Sequence, residues 1–234
     1  MSRPAGPAAA ATGPLTGRLR VETGVEVSTL LVRPPRTQAL FVLAHGAGAG
    51  MRHPFMTAVA ERLAMRGIAT LRYQFPYTEQ GSRRPDPEPL LLATVRVAVA
   101  AGLEAAEGAP ILAGGKSMGG RMTSRAAAAE PLDGVSGIVF LGFPLHPAGR
   151  PGVTRAEHLA RVDRPMLFLQ GTRDTLADLG LLTPIVDRLG SRATLRVIEH
   201  ADHGFHVLKR SGRTDEQVLD ELAAAVATWR EGLT

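Results

Sequence analysis

A serine with glycines two residues to either side, Gly115-Lys116-Ser117-Met118-Gly119, joins the apolar stretch Pro110–Gly114 to Met118–Ala129, which has helical spacing. A strand that turns sharply into a helix exposes such a hydroxyl, and glycines are needed because the two backbones pass close together there. A serine hydroxyl is a poor nucleophile unless a base takes its proton, and the base needs a partner that fixes its tautomer. Both follow along the chain. Asp174 lies in the loop Gly171-Thr172-Arg173-Asp174 after the apolar run Met166–Gln170. His203 lies in Glu199-His200-Ala201-Asp202-His203-Gly204-Phe205 after Thr194–Ile198. Serine, acid, histidine is one of the chain orders in which such a triad occurs. Donors for a developing oxyanion are also present. One is the N–H of Met118 at the helix start; the other is the N–H of Ala47 in the loop His45-Gly46-Ala47-Gly48 after Ala39–Ala44. His45 reads as an anchor that holds this loop through side-chain hydrogen bonds.

Other readings compete for the same residues. Gly115-Lys116-Ser117 is also the tail of a phosphate-binding loop, but the first glycine of that motif would fall on Pro110. The four residues between are mostly strand, which leaves no loop to wrap a phosphate. His200, His203 and His206 repeat every three residues, as zinc ligands sometimes do. Gly204 interrupts any helix there, and in a strand this spacing sends neighbours to opposite faces, so no metal site is expected. Asp174 has the alternative of capping the next helix, with Asp178 as its substitute deeper in that helix. Asp202 reads as a turn residue. Lys116 reads as an elbow brace or a solvated charge.

The elements that must position these groups follow from periodicity. Arg18–Thr23 and Val25–Val32 alternate around Gly24, as in an antiparallel hairpin. Thereafter apolar strands (Ala39–Ala44, Ile68–Tyr73, Pro110–Gly114, Gly137–Phe143, Met166–Gln170, Thr194–Ile198) alternate with helices. The helices fall at Pro54–Met65, Leu90–Ala106, Met118–Ala129, about Thr183–Leu189 and Asp215–Arg230. Strands apolar on both faces imply a mostly parallel, doubly wound α/β sheet with helices on both sides. Ligands bind such sheets beyond the carboxyl ends of the strands. Residues 1–16, rich in Ala, Pro and Gly, read as a flexible leader, and 17–234 as a single domain. About twenty residues separate Phe143 from Met166, too few for a large cap domain.

Composition narrows the function classes. The net charge of +5 raises the question of nucleic acid, but only Lys116 and Lys209 are lysines and the arginines are scattered. With 4% aromatic residues a base-stacking platform is hard to build, so no nucleic-acid partner is expected. No window is apolar enough to span a membrane. The absence of cysteine excludes disulfides and thiolate metal sites, and the cytoplasm is the expected location.

The blocks HGAGAGMRHPFM (45–56), LRYQFPYTEQGSRRPDP (71–87), GGKSMGGRMTSRAA (114–127), LGFPLHPAGRP (141–151), LFLQGTRD (167–174) and ADHGFHV (201–207) together resemble one branch of the α/β-hydrolase superfamily. That branch is related to the dienelactone hydrolases and includes a testis-expressed hydrolase-like protein and a subunit of a histone-acetyltransferase regulatory complex. The resemblance spans about residues 38–230 and implies the α/β-hydrolase fold and the triad Ser117, Asp174, His203. Dienelactone hydrolases proper use cysteine where Ser117 stands, so their specificity is not carried over. The reading is a cofactor-free serine hydrolase for a small-molecule ester or related acyl compound, with Phe75, Tyr77, Arg121 and Phe143 lining its pocket. The alternative is a catalytically silent interaction module that kept the fold, with serine and histidine out of hydrogen-bond reach.

Overall fold

The computed structural model describes residues 13–22 and 24–233; residues 1–12 of the expected leader lie outside them. In chain order the elements are β1 (Leu15–Glu22), β2 (Val25–Val32), β3 (Ala39–Ala44), α1 (Pro54–Ala64), β4 (Ile68–Tyr73), α2 (Pro76–Glu79) and α3 (Glu88–Ala105). They continue with β5 (Ile111–Lys116), α4 (Met118–Ala129), β6 (Val135–Leu141), β7 (Met166–Gly171), α5 (Leu179–Leu189), β8 (Ala193–Ile198) and α6 (Asp215–Glu231). Short 3₁₀ turns, the longest at Thr154–Arg161, join some of them. The strands form one eight-stranded sheet in the order β1-β2-β4-β3-β5-β6-β7-β8. The β1–β2 and β2–β4 pairs are antiparallel and the remaining pairs parallel.

Side-chain alternation along β3 shows how the layers are built. Leu40, Val42 and Ala44 pack on one face with residues of α3, α4 and α5. Ala39, Phe41 and Leu43 pack on the other with residues of α1 and α6. Both faces are buried, which is why these strands read as unbroken apolar runs.

This arrangement sets the functional crevice. β3 and β5 are neighbours, yet the chain leaves β3 for α1 on one face and leaves β5 for α4 on the other. The two loops part at the carboxyl ends of adjacent strands, a topological switch point, and they carry His45–Ala47 and Ser117. No described helix is long and apolar enough to cross a membrane.

Several boundaries differ from the sequence reading, among them those of β6, β1 and α5. β6 runs over Val135–Leu141 instead of Gly137–Phe143, because Gly142 has φ +74° and turns the chain out of the sheet. β1 begins at Leu15, three residues before the expected hairpin strand. α5 begins at Leu179 instead of about Thr183, since the Asp178 carboxylate caps it by accepting from the Gly180 N–H at 2.7 Å. Asp178 is therefore the helix cap and not a residue inside the helix, which leaves Asp174 free for another task.

Candidate active site

Ser117 sits between the end of β5 and the start of α4 with φ 50° and ψ −115°. A non-glycine residue rarely adopts this conformation, and such strain concentrates at functional turns. The turn is possible because a side chain is missing on each flank. A Cβ on Gly115 would strike the Ala44 carbonyl, and one on Gly119 would lie 2.6 Å from the His45 carbonyl. β5, α4 and the β3 loop thus approach to backbone contact around the serine.

The three expected catalytic side chains come together. Ser117 Oγ lies 2.8 Å from His203 Nε2, and His203 Nδ1 lies 2.7 Å from Asp174 Oδ2. With Nδ1–H donated to the carboxylate, Nε2 is left as the acceptor that faces the hydroxyl. The Asp174 side chain is fully shielded from solvent, while that of His203 is partly open. Asp174 Oδ1 accepts from the Leu176 N–H at 2.7 Å, and Oδ2 also accepts from Gln170 Nε2 at 2.5 Å.

Gln170 was missed in the sequence. It is fully buried near the end of β7, and its Oε1 accepts from the Phe143 N–H at 2.9 Å. Its amide therefore ties the loop after β6 to the acid. The available signal was a lone polar residue in the otherwise apolar Met166–Gln170 run.

The loop after β3 is clamped to β4 and the segment after it. His45 is fully buried; its Nδ1 faces the Gly46 carbonyl at 2.8 Å, and its Nε2 accepts from the Phe75 N–H at 3.2 Å. Burial draws its pKa down to about 4, so the ring is a neutral donor–acceptor bridge and not a charge. At the far end of the loop, Met51 O accepts from Arg72 Nη1 at 2.9 Å, and the Met51 N–H donates to Gln74 Oε1 at 2.9 Å. A Cβ on Gly46 would sit 3.6 Å from Ser117 Cβ, which places this loop directly beside the serine. The N–H of Met118 is at the first position of α4, where no intrahelical acceptor exists.

The remaining histidines separate by role. His206 is exposed and its Nδ1 pairs with Asp215 Oδ2 at 2.8 Å. The His200 backbone has φ +66°, and its N–H donates to Thr172 Oγ1 at 2.8 Å. Among the described residues no group of three His, Asp or Glu side chains is arranged to hold a metal. Asp202 forms the turn of the His203 loop, its Oδ1 accepting from the N–H groups of Gly204 at 2.8 Å and His206 at 3.0 Å.

A second serine–histidine contact, Ser124 Oγ to His158 Nε2 at 2.8 Å, lies between α4 and the Thr154–Arg161 turn. Both residues are buried, and burial together with Arg125, Arg121 and Arg161 draws the His158 pKa down to about 4. Its charged surroundings are arginines, where a general base needs a carboxylate. The pair fastens the turn to α4.

Of the expected pocket residues, Phe75, Tyr77 and Phe143 are buried in the core on the α3/α4 face instead of opening onto solvent. Phe75 and Tyr77 contact the His45 ring edge-on, at centroid distances of 5.1 and 6.1 Å, and so back the β3 loop. Phe143 packs edge-on against Phe140 and Phe168. Arg121 is half-buried one turn beyond Ser117, its N–H bonded to the Ser117 carbonyl. Among the described residues no carboxylate lies within ion-pair range of its guanidinium; burial and the neighbouring Arg155 and Arg125 lower its pKa.

Comparison with known proteins agrees with this architecture. The structure is similar to an α/β serine hydrolase homologue from Coxiella burnetii, with TM-score 0.72, 17% identity, and coverage of 93% of this chain and 97% of the other. It is also similar to a lidless α/β serine hydrolase from Xanthomonas campestris (TM-score 0.73, 20% identity, 97% and 98% coverage). A third similar structure is a dienelactone hydrolase from Anabaena variabilis (TM-score 0.70, 23% identity, 93% and 97% coverage). At these identities the likeness is one of fold. Residues 37–231 match the family model described as an alpha/beta hydrolase domain, and the chain belongs to the α/β-hydrolase family.

Proposed function

We propose that the protein is a cofactor-free serine hydrolase of the cytoplasm that cleaves a small carboxylic ester or related acyl compound. The observation that carries this reading is the continuous hydrogen-bonded line Ser117–His203–Asp174, with contacts of 2.8 and 2.7 Å. A silent interaction module has no need to keep that alignment together with a strained serine. Ser117 Oγ attacks the acyl carbon while His203 Nε2 takes its proton, and Asp174 steadies the imidazolium that forms. The N–H groups of Ala47 and Met118 receive the oxyanion, each typically worth roughly 3–4 kcal/mol to the transition state. His203 then returns the proton to the leaving group and activates water for deacylation.

The triad, the short chain between β6 and β7 and the dienelactone hydrolase among the structural neighbours fit the dienelactone-hydrolase-related branch. Arg121, one turn beyond Ser117 and with no carboxylate in ion-pair range among the described residues although Glu88 acts on it from farther off, would favour substrates with a negative group. Hydrolysis of short-chain p-nitrophenyl esters, wild type beside Ser117→Ala, tests the main reading. A loss of at least about a thousandfold is expected. Equal turnover by the two proteins would refute it. Carboxylate-bearing against neutral esters after Arg121→Ala tests the preference, which should disappear.

A further inference from the structure

Lys116, the residue before the serine, reaches the histidine loop with its side chain. Its Nζ donates to the main-chain carbonyl of His203 itself at 2.6 Å. The ammonium lies 5.9 Å from the Phe55 ring centroid and 5.5 Å from that of Phe205. Those two rings stack on each other with centroids 5.8 Å apart. Gly142 closes the remaining side: a Cβ there would lie 3.2 Å from Lys116 Nζ and 3.5 Å from His203 Nδ1. Three separate segments, the histidine loop, the start of α1 and the turn after β6, therefore converge on one ammonium, which in turn grips the backbone of the histidine.

We propose that Lys116 is a positioning residue for His203, fixing the loop so that the imidazole meets Ser117 and Asp174 at the same time. The proposal rests on the reading of these three residues as a catalytic triad. Its physical basis is that the imidazole must hold two hydrogen bonds from a loop containing Gly204 and the positive-φ residues His200 and Phe205. Such a loop has little regular structure to fix it. The Ala201–Val207 bridge and Asp202 shape its turn, but neither reaches β5. Further bonds, such as Arg173 N–H to the Ala201 carbonyl at 2.8 Å, hold the loop to the end of β7, while the Lys116 contact ties the main chain of the base to the residue adjoining the nucleophile, 87 positions away in the chain. Burial lowers the Lys116 pKa to about 8, opposed by the nearby carboxylates of Asp174 and Asp202, so the grip is made by a partly desolvated cation. A hydrogen bond from a charged donor in such surroundings is stronger than a neutral one.

The test compares wild type, Lys116→Met and Lys116→Arg. Methionine keeps the apolar stem between Phe55 and Phe205 and removes only the donor and the charge. The readouts are the saturating rate and apparent affinity of fluorophosphonate labelling, and hydrogen–deuterium exchange over residues 199–207. Lys116→Met should slow the saturating rate about 10- to 100-fold with affinity unchanged. Exchange should rise in the histidine loop and not in the central strands, and Lys116→Arg should recover most of the rate. Wild-type labelling and exchange in Lys116→Met would overturn the proposal, as would a rise in exchange spread evenly over the sheet. If folded wild type is not labelled at all, the hydrolase reading fails; the exchange data then decide the positioning role by themselves.

Discussion

Replacing Gln170 by methionine is the sharpest probe of how the acid is held. Methionine has nearly the same length and no strong hydrogen-bonding group, so it removes two contacts while filling the site. The first is the 2.5 Å donation to Asp174 Oδ2, a bond to a carboxylate worth about 1.5–3 kcal/mol. The second leaves the buried Phe143 N–H without its acceptor, a cost of about 1–3 kcal/mol. Together the loss is about 3–5 kcal/mol. For a chain of this length each kcal/mol moves Tm by roughly 2–4 °C, so a fall on the order of 10 °C is expected in calorimetry. Asp174 keeps the Leu176 N–H and His203, and labelling by a fluorophosphonate should slow about tenfold. Gln170→Glu separates the two contacts. It keeps an acceptor for Phe143 but sets one carboxylate against another, which two ionised groups at this spacing resist. Its activity should fall further as pH rises, whereas that of Gln170→Met should not. Wild-type Tm and labelling rate in Gln170→Met would refute the reasoning.

Two other outcomes follow from the geometry. Alanine is normally favoured over glycine within a helix by about 1 kcal/mol, yet Gly119→Ala should destabilise the protein and sharply reduce ester hydrolysis. The added Cβ meets the His45 carbonyl at 2.6 Å and the Ala44 side chain at 2.7 Å, pushing α4 from the β3 loop; a raised Tm with full activity would contradict this. Stability should also fall with acid below neutrality. His45 and His158 have folded pKa values near 4 against 6.5 unfolded, so between these limits the unfolded chain binds protons that the folded chain does not. Their contribution is complete above pH 6.5 and is lost as pH falls through about 4, a change of about 3 kcal/mol for each. Urea midpoints that stay flat from pH 7 to pH 4.5 would exclude it.

The sheet was legible because both faces of β3 to β7 are buried, which leaves continuous apolar runs between loops. The grouping of Ser117, Asp174 and His203 was legible because each stands directly after such a run, at the same end of the sheet. Side-chain direction was not. Phe75, Tyr77 and Phe143 follow strand ends, where an aromatic can face ligand or core with equal sequence support. The positive φ of Gly142 and the short α2 turn them inward. The sequence reading set Asp178 deeper in the helix after Asp174, but its carboxylate takes the Gly180 N–H and caps α5, a bond that no spacing pattern reveals. The contacts of Gln170 and Lys116 reach loops 27 and 87 positions away, and local pattern carries no trace of such partners.

The central claim is that Ser117, and not the buried Ser124, is an activated nucleophile. Fluorophosphonate labelling followed by mass-spectrometric mapping of the modified residue tests it directly, with Ser117→Ala, His203→Ala and Ser124→Ala beside wild type. The adduct is expected on Ser117 in wild type and in Ser124→Ala, and none in Ser117→Ala or His203→Ala. An adduct on Ser124, or a folded wild-type protein that takes up no label, would contradict it.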